Sequence, residues 1–199
     1  MEQLSPEQLS PEWFEARRSI PTGSNFNKII TSTGKKSEQR WAYLYKLAWE
    51  AISGEVEPSY QSPDMEWGNL YEPEARAIYE MENEVDVIVP GFEMHESGLY
   101  GGSADGLVGN DGMIEIKCPR ATTQVKRIDK GVFPDAEYKA QVQGYLMIYN
   151  RKWCDFVSYY PGAKWFQVRV YPDTEYQEKM HDELVKFCAD LKALVEKLQ

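Results

Sequence analysis

Three residues in one short stretch have the types and the spacing of a metal-dependent hydrolytic site. Asp105 stands ten residues before Glu115, and Lys117 follows Glu115 after a single apolar residue. Alternate side chains of a β-strand share a face, so Glu115 and Lys117 point the same way while Ile114 and Ile116 point to the core. Converging carboxylates favour a bound Mg²⁺ or Mn²⁺, because both are hard cations that take oxygen ligands.

The position of the turn in this stretch determines whether Asp105 and Glu115 lie close together. Asn110-Asp111-Gly112 predicts a tight hairpin turn that folds Asp105 back beside Glu115. We expect Gly106, which has no side chain, to leave space between the two carboxylates. The alternative is an ordinary half-solvated hairpin, because Glu-x-Lys is also a common surface pattern.

The first half of the chain supplies mostly helices around this hairpin. Ser10 and Pro11 predict a short helix through Arg18, and residues 20–36 predict a loop around a helical turn. Ser37 predicts the N-cap of a helix that ends at Gly54. Its apolar residues with helical spacing predict a face buried in the core rather than a base-stacking platform. They are Trp41, Leu44, Tyr45, Ala48, Trp49 and Ile52.

The remaining pattern predicts a sheet with further helices. Helices are expected over 64–82, with Pro73 inside, and over 135–149 and 173–198. Strands are expected over 85–90, near Phe92 and Met94, on both sides of the hairpin turn, and as a second pair joined through Pro161-Gly162. This order predicts an α/β fold with a central mixed β-sheet flanked by helices. We expect one domain over 1–199, with a helical part at about 1–82 and a part with the sheet and its helices at about 83–199.

Charge and composition set further limits. The chain has 199 residues and a net charge of −10, which alone disfavours nucleic acid as a ligand. Residues 17–46 nevertheless hold seven basic residues against one acid, and residues 117–130 hold five against one. This asymmetry predicts one basic face on an acidic body. Three cysteines without C-x-x-C spacing, no long apolar run and no signal-peptide pattern favour a reduced cytosolic protein without a zinc or iron–sulfur site.

Several motifs in order resemble a known nuclease family. The pattern D-(x₉)-E-x-K resembles the PD-(D/E)xK superfamily, with Ala104 where many members have a non-ligating proline. Five stretches over residues 13–146 resemble the bacteriophage lambda exonuclease (YqaJ-like viral recombinase) family. They are WFEARRSIPTGS, WGNLYEPEA, SADGL, IEIKCP and YKAQVQGYL. The resemblance implies a restriction-endonuclease-like fold.

The resemblance also implies roles for the acidic site. Asp105 and Glu115 would bind the metal directly, together with the main-chain carbonyl of Ile116. Lys117 would position the attacking water. Glu72 would lie near a second metal, through water, although alone it could be a solvated helix acid. Two Mg²⁺ ions are expected, with Mn²⁺ able to substitute.

Further roles fall on two other segments. Gln141 would lie beside the nucleophile and Lys117, with Tyr138 on the same side of its helix, although Gln141 alone could be a simple polar helix residue. Arg17 and Ser24 would hold a terminal 5′-phosphate, and Tyr138 would also contact DNA. Arginine suits this work because its planar guanidinium can bind phosphate through two hydrogen bonds. Alone, Arg17 could instead pair with an acid of its own helix.

The resemblance implies a Mg²⁺-dependent 5′-to-3′ exonuclease on linear double-stranded DNA. Such an enzyme would release mononucleotides and leave 3′ single-strand overhangs for recombination. A ring-shaped homotrimer, a single-strand annealing protein as partner and the bacterial cytoplasm follow from the same resemblance. The alternatives are an endonuclease or resolvase of the same superfamily and a non-catalytic DNA-binding protein. Arg17 and Ser24 argue against the first alternative, and the intact acids and lysine argue against the second.

Overall fold

A computed structural model of the chain describes residues 8, 10–56 and 62–199. Its helices and strands follow one another in the order that the sequence predicts, with one additional helix, Ala121–Lys130, and one additional short strand, Gly101–Gly102. The helices are α1 Pro11–Ala16, a 3-10 helix Gly23–Lys28, α2 Arg40–Ser53, α3 Pro63–Asn83, α4 Ala121–Lys130, α5 Asp135–Ile148 and α6 Thr174–Leu198. The strands are β1 Val87–Ile88, β2 Glu93–Met94, β3 Gly101–Gly102, β4 Gly106–Val108, β5 Gly112–Lys117, β6 Trp153–Ser158 and β7 Phe166–Val170.

Five strands form one mixed sheet in the order β1-β4-β5-β6-β7. β5 pairs antiparallel with β4 and parallel with β6, whereas the remaining pairs are antiparallel. β2 and β3 form a separate antiparallel pair. The expected α/β fold with a central mixed sheet and flanking helices is confirmed.

Both faces of the central strand β5 are covered. Met113 packs into the larger apolar cluster, formed with α2, the 3-10 helix, α5 and α6. Ile114 and Ile116 pack into a smaller cluster with α3. Burial on both faces explains why the strand is almost continuously buried, which disagrees with the alternative of an ordinary half-solvated hairpin. The acidic residue of this strand is therefore held inside the molecule.

The ends of the N-terminal helices are set by local hydrogen bonds. The Ser10 side chain accepts a hydrogen bond from the Trp13 main chain, as expected for an N-cap, but α1 ends at Ala16. The prediction that Ser37 caps α2 is wrong, because the N-cap is Gln39. Gly54 ends α2 as predicted, since its φ of 72° is the left-handed conformation that glycine adopts without strain.

One predicted core face lies on the surface. Trp41, Tyr45 and Trp49 on α2 are 57%, 59% and 54% exposed, and Ile52 is exposed as well. We call these four residues the aromatic stripe. Leu44 and Ala48 of the predicted face are buried as expected, together with Tyr43 and Leu47 of the neighbouring side. The prediction failed because α2 is apolar on two sides, and periodicity alone does not say which side meets the core.

The basic segment 17–46 is partly neutralised by acids that lie outside this segment. Four of its seven basic residues make ion pairs, so the basic surface is smaller than the segment's charge indicates. The pairs are Arg18–Glu15, Lys36–Glu183, Arg40–Asp190 and Lys46–Glu50. In the described part of the chain, no helix has the length and apolarity needed to cross a bilayer.

Candidate active site

The predicted hairpin forms and brings the two acids together. Val108 pairs with Gly112 and Gly106 with Ile114, which leaves a three-residue loop at 109–111. The left-handed residue of this loop is Gly109, with a φ of 53°, so the turn starts one residue before the predicted one. Continuing the register past Gly106 places Asp105 opposite Glu115, at the end of the hairpin away from the loop.

Gly106 has a different role from the expected one. A side chain here would not enter the space between the acids, because a Cβ atom would lie 2.2 Å from Cγ1 of Val87 on β1. The same atom would also come within 3.0 Å of Cγ1 of Ile114. The prediction that Gly106 opens the metal site is therefore wrong. This glycine lets β1 approach the hairpin.

Glu115 is completely buried and poorly satisfied. It is 0% exposed, and neither carboxylate oxygen accepts a well-oriented hydrogen bond from the described residues. Lys117 Nζ lies 2.5 Å from Glu115 Oε1 as an ion pair. The Asp105 carboxylate, by contrast, accepts a hydrogen bond of 2.7 Å from the main-chain N–H of Ile116. A buried carboxylate with free lone pairs is a candidate cation ligand, since an unpaired buried charge is costly.

Glu72 reaches the same place from α3. Its carboxylate pairs with Arg76, one helical turn later, at 2.5 Å, and Arg76 donates to the main-chain carbonyl of Asp105 at 3.1 Å. The sequence analysis missed Arg76, although its position four residues after Glu72 is the usual spacing of a helical ion pair. Arg76 thus contacts both Glu72 on α3 and the hairpin that carries Asp105.

The pKa values show how closely these groups interact. Burial, together with the charge of Asp105, raises the pKa of Glu115 to about 8 and that of Glu72 to about 7. Burial also raises the pKa of Asp105. Burial alone would lower the pKa of Lys117, but Glu115 and Asp105 outweigh it and raise that pKa. Clustered acids with raised pKa values beside a lysine are typical of a functional site.

The donor set fits a divalent cation with oxygen ligands. Asp105, Glu115 and the carbonyl of Ile116 are the residues that would hold it, with Glu72 nearby. In the described part of the chain, no three His, Cys, Asp or Glu side chains converge on one point. Mg²⁺ is usually held by one or two carboxylates and keeps several waters, and Asp105 and Glu115 are two such carboxylates. The free oxygens of Glu115 are the feature that fits such an ion.

Helix α5 contributes the next group. Lys117 Nζ lies 5.4 Å from the centroid of the Tyr138 ring, so Tyr138 borders this lysine. The Tyr138 hydroxyl accepts a hydrogen bond of 2.9 Å from Arg127, a buried residue of α4. Gln141 lies one turn after Tyr138 on the side of Tyr145, whose phenol it can reach with a hydrogen bond. The structure thus places Tyr138 beside Lys117 and Gln141 beside Tyr145.

The predicted phosphate residues form a separate polar group. Arg17 Nη2 lies 3.4 Å from Thr22 Oγ1, and the Ser24 hydroxyl lies 3.4 Å from the same oxygen. Asn25 donates to Thr22 Oγ1 at 2.9 Å. Within the described residues Arg17 makes no ion pair, so the alternative partner Glu12 is not engaged. We call Arg17, Thr22, Ser24 and Asn25 the Arg17 cluster.

Two aromatic contacts connect the Arg17 cluster to the acids. The Arg17 guanidinium stacks 3.9 Å from the centroid of Trp13, and the Trp13 indole N–H donates to Ser103 Oγ at 2.8 Å. Ser103 is two residues before Asp105. The sequence analysis did not assign Trp13 or Ser103 a role, because no local pattern links residues so far apart in the chain.

Asp155 does not join the acidic site. Its carboxylate is bound by both Arg169 nitrogens at 2.8 Å and by the Tyr79 hydroxyl at 2.8 Å. Gln167 donates to it as well. These bonds satisfy Asp155 within the sheet and leave it no evident role in cation binding.

Comparison with protein families identifies the same family as the sequence motifs. The model of the YqaJ-like viral recombinase domain matches residues 12–152. Among curated proteins no sequence match was found.

The solved structures similar to this chain include exonucleases. An alkaline exonuclease from Laribacter hongkongensis is 34% identical, with a TM-score of 0.87 over 95% of this chain and 96% of that one. A second structure of that enzyme, in complex with dAMP, matches equally well. A phage-related exonuclease from Haemophilus somnus shares the fold, with a TM-score of 0.69 at 16% identity over 90% of this chain and 96% of that one. The chain therefore belongs to the YqaJ-like viral recombinase family.

Proposed function

We propose that this protein is a Mg²⁺-dependent exonuclease that degrades one strand of linear double-stranded DNA from its 5′ end. The observation that carries the proposal is the buried Glu115, opposite Asp105 and paired with Lys117. Family membership and the similar alkaline exonuclease support a DNA exonuclease. The complex of that relative with dAMP supports mononucleotides as the product.

The chemistry follows from the neighbours of Glu115. Cations held by Asp105, Glu115 and the Ile116 carbonyl would supply positive charge at the scissile phosphate. We propose two Mg²⁺ ions, with Glu72 near the second and Mn²⁺ able to replace either. Lys117 is anchored by Glu115 and stays cationic, so it can orient the attacking water and stabilise negative charge on the phosphate. Gln141 can hold the same water by hydrogen bonding.

The Arg17 cluster is our reason for proposing 5′-to-3′ polarity. It combines an arginine without an ion pair in the described residues with hydroxyl and amide groups, which together suit a phosphate dianion. A binding site for a terminal phosphate next to the hydrolytic acids serves an enzyme that starts at ends. Tyr138, beside Lys117, would contact the DNA strand near the cut. The remaining strand would be left as a 3′ overhang.

The assembly and partners are part of the same proposal. A homotrimeric ring around DNA would explain how an acidic protein holds its substrate, because its basic surface could face inward. The exposed aromatic stripe is apolar surface of the kind that often marks contacts between proteins. We further propose a single-strand annealing protein as partner and the bacterial cytoplasm as location.

The first experiment compares linear and closed circular duplex DNA. Linear DNA with 5′-phosphate ends and the circle are incubated with Mg²⁺ or with EDTA, and products are sized over time. We expect Mg²⁺-dependent loss of the linear DNA alone, with mononucleotides released. Lys117→Ala serves as the inactive control.

Two results would contradict the proposal. Cleavage of the circle would show an endonuclease with the same acidic site. If neither DNA is cut while the protein still binds DNA, the protein is a non-catalytic DNA-binding protein.

A further inference from the structure

Tyr145 occupies the space between the Arg17 cluster and the acidic site. It lies on α5, one turn after Gln141, and is 4% exposed. Neither the motif analysis nor the chemistry proposed above uses it. Its ring packs against two glycines from different elements, Gly23 of the 3-10 helix and Gly102 of β3.

The fit at both glycines is tight. A Cβ atom at Gly23 would lie 2.2 Å from Cε1 of Tyr145, and one at Gly102 would lie 2.4 Å from the same atom. Any larger residue at either position would displace the ring. The phenol is therefore held in a fixed place by two backbone segments.

Each of these segments leads directly to one of the two groups. Gly23 lies between Thr22 and Ser24 of the Arg17 cluster. Gly102 precedes Ser103 and lies three residues before Asp105. A ring packed against both segments spans the gap between the phosphate-binding residues and the metal-binding residues.

Electrostatic interactions agree with this position. Burial lowers the pKa of Arg17, and Tyr145 lies close enough to be one of the groups that act on it. Burial raises the pKa of Tyr145 itself, with Glu115 and Asp105 adding to the shift. The phenol thus stays neutral and can donate a hydrogen bond without adding charge to the site.

We infer that the Tyr145 hydroxyl donates to the terminal nucleotide between its 5′-phosphate and the scissile phosphate. By holding this nucleotide it fixes the cut one nucleotide from the end. The inference rests on the proposed function, in which the Arg17 cluster binds the 5′-phosphate and the acids direct the cut. Tyr145 is then the residue that sets product length.

The test is Tyr145→Phe, which keeps the packed ring and removes only the hydroxyl. Linear duplex DNA labelled at its 5′-phosphate is digested with Mg²⁺, and the first labelled products are sized. Wild-type protein is expected to release mononucleotides. The variant should still cut, but dinucleotides should appear, and the preference for 5′-phosphate over 5′-hydroxyl ends should fall roughly ten- to hundredfold.

Tyr149→Phe is the matched control. Tyr149 lies one turn further along α5, and its hydroxyl can donate its one proton to the carbonyl of Gly102 at 3.0 Å or to that of Gly91 at 3.2 Å. Its loss should lower the melting temperature and leave product length unchanged. Gly102→Ala is a second variant that displaces the Tyr145 ring while keeping its hydroxyl, and it should also produce dinucleotides.

The outcomes separate the two proposals. If wild-type protein does not digest linear DNA, the proposed function fails. If wild-type protein releases mononucleotides and both Tyr145→Phe and Gly102→Ala do the same with unchanged end preference, the inference is overturned. Loss of all cleavage by a Tyr145→Phe protein that melts like the wild type would overturn it too, since the hydroxyl would then serve the chemistry.

Discussion

Glu115 is the residue on which the site depends. Its side chain is fully buried beside Asp105, and apart from the ion pair with Lys117 its oxygens have no partner among the described residues. Burying such a carboxylate disfavours its charged form, which is why its pKa rises to about 8. Burying Glu115 costs free energy, but it leaves a carboxylate that is available to bind a cation.

Stability without metal should fall as pH rises. The pKa of both Glu115 and Glu72 is 4.5 in the unfolded chain, and folding raises it to about 8 for Glu115 and about 7 for Glu72. Between the unfolded and the folded pKa values, the folded state therefore binds more protons than the unfolded state. The stabilisation is present below about pH 4.5 and is lost as pH rises through the folded pKa values. Glu115→Gln should flatten this decline.

Thermal melts in EDTA from pH 5 to 9 measure this effect. Glu178→Gln, at an exposed position on α6, is the control and should follow the wild type. A wild-type melting temperature that rises with pH across this window would show that Glu115 is ionised and well stabilised in the fold.

Lys117→Ala should lower the turnover rate by a factor on the order of 10²–10³, the usual cost of removing one positioned electrostatic group. DNA binding should be largely retained, because Lys117 is paired with Glu115 and is a small part of the basic surface. Single-turnover digestion and a binding assay in Ca²⁺ measure the two quantities. Cutting at the wild-type rate would exclude the proposed role.

Arg17→Ala should remove the preference for 5′-phosphate over 5′-hydroxyl ends and slow initiation. The guanidinium contacts Thr22 and Trp13 but no acid in the described residues, so it is available for a phosphate. Initial rates on the two kinds of end measure the preference. Arg18→Ala is the matched control, since Arg18 is engaged by Glu15. An unchanged preference in Arg17→Ala would place the phosphate elsewhere.

At the scale of elements, the hairpin is held by its neighbour β1. Val87 fills the place where a side chain at Gly106 would be, so β1 closes over the hairpin strand that leads to Asp105. The backbone conformation of Gly106 does not require glycine, because its φ is not positive. Steric contact alone explains the need for glycine here.

Gly106→Ala should therefore destabilise the protein by about 1–3 kcal/mol, the usual cost of overpacking. Adding Val87→Ala should recover part of this loss, since the smaller side chain makes room. Denaturant unfolding of the two single variants and the double variant gives the coupling energy. Additive effects would mean that the Gly106 methyl group is accommodated somewhere other than against β1.

The elements that the sequence predicts well are those with simple periodicity. The hairpin, α3, α5 and α6 follow their apolar patterns closely. Helix α4 was missed because its buried side chains are Gln124 and Arg127, which give no apolar period. Periodicity also could not orient α2, whose aromatic stripe is exposed. In the site, motifs located the acids, whereas Tyr145 depends on tertiary contacts with Gly23 and Gly102 that no motif encodes.

For the whole molecule, the assembly state is the open prediction. We expect light scattering to give a mass three times the 23.0 kDa of one chain. Quenching of tryptophan fluorescence by acrylamide should be weak for Trp41 and Trp49 if the trimer covers the aromatic stripe. A mass of one chain at micromolar concentration would contradict the trimer.

The position of β5 between β4 and β6 has a consequence for synthesis on the ribosome. The hairpin can form as soon as Lys117 has emerged, but the other edge of β5 stays unpaired until β6, which begins at Trp153, follows two further helices. During that interval an apolar strand with open hydrogen-bonding groups is exposed to other nascent chains. Slowed translation between residues 118 and 152 should therefore favour aggregation of this protein.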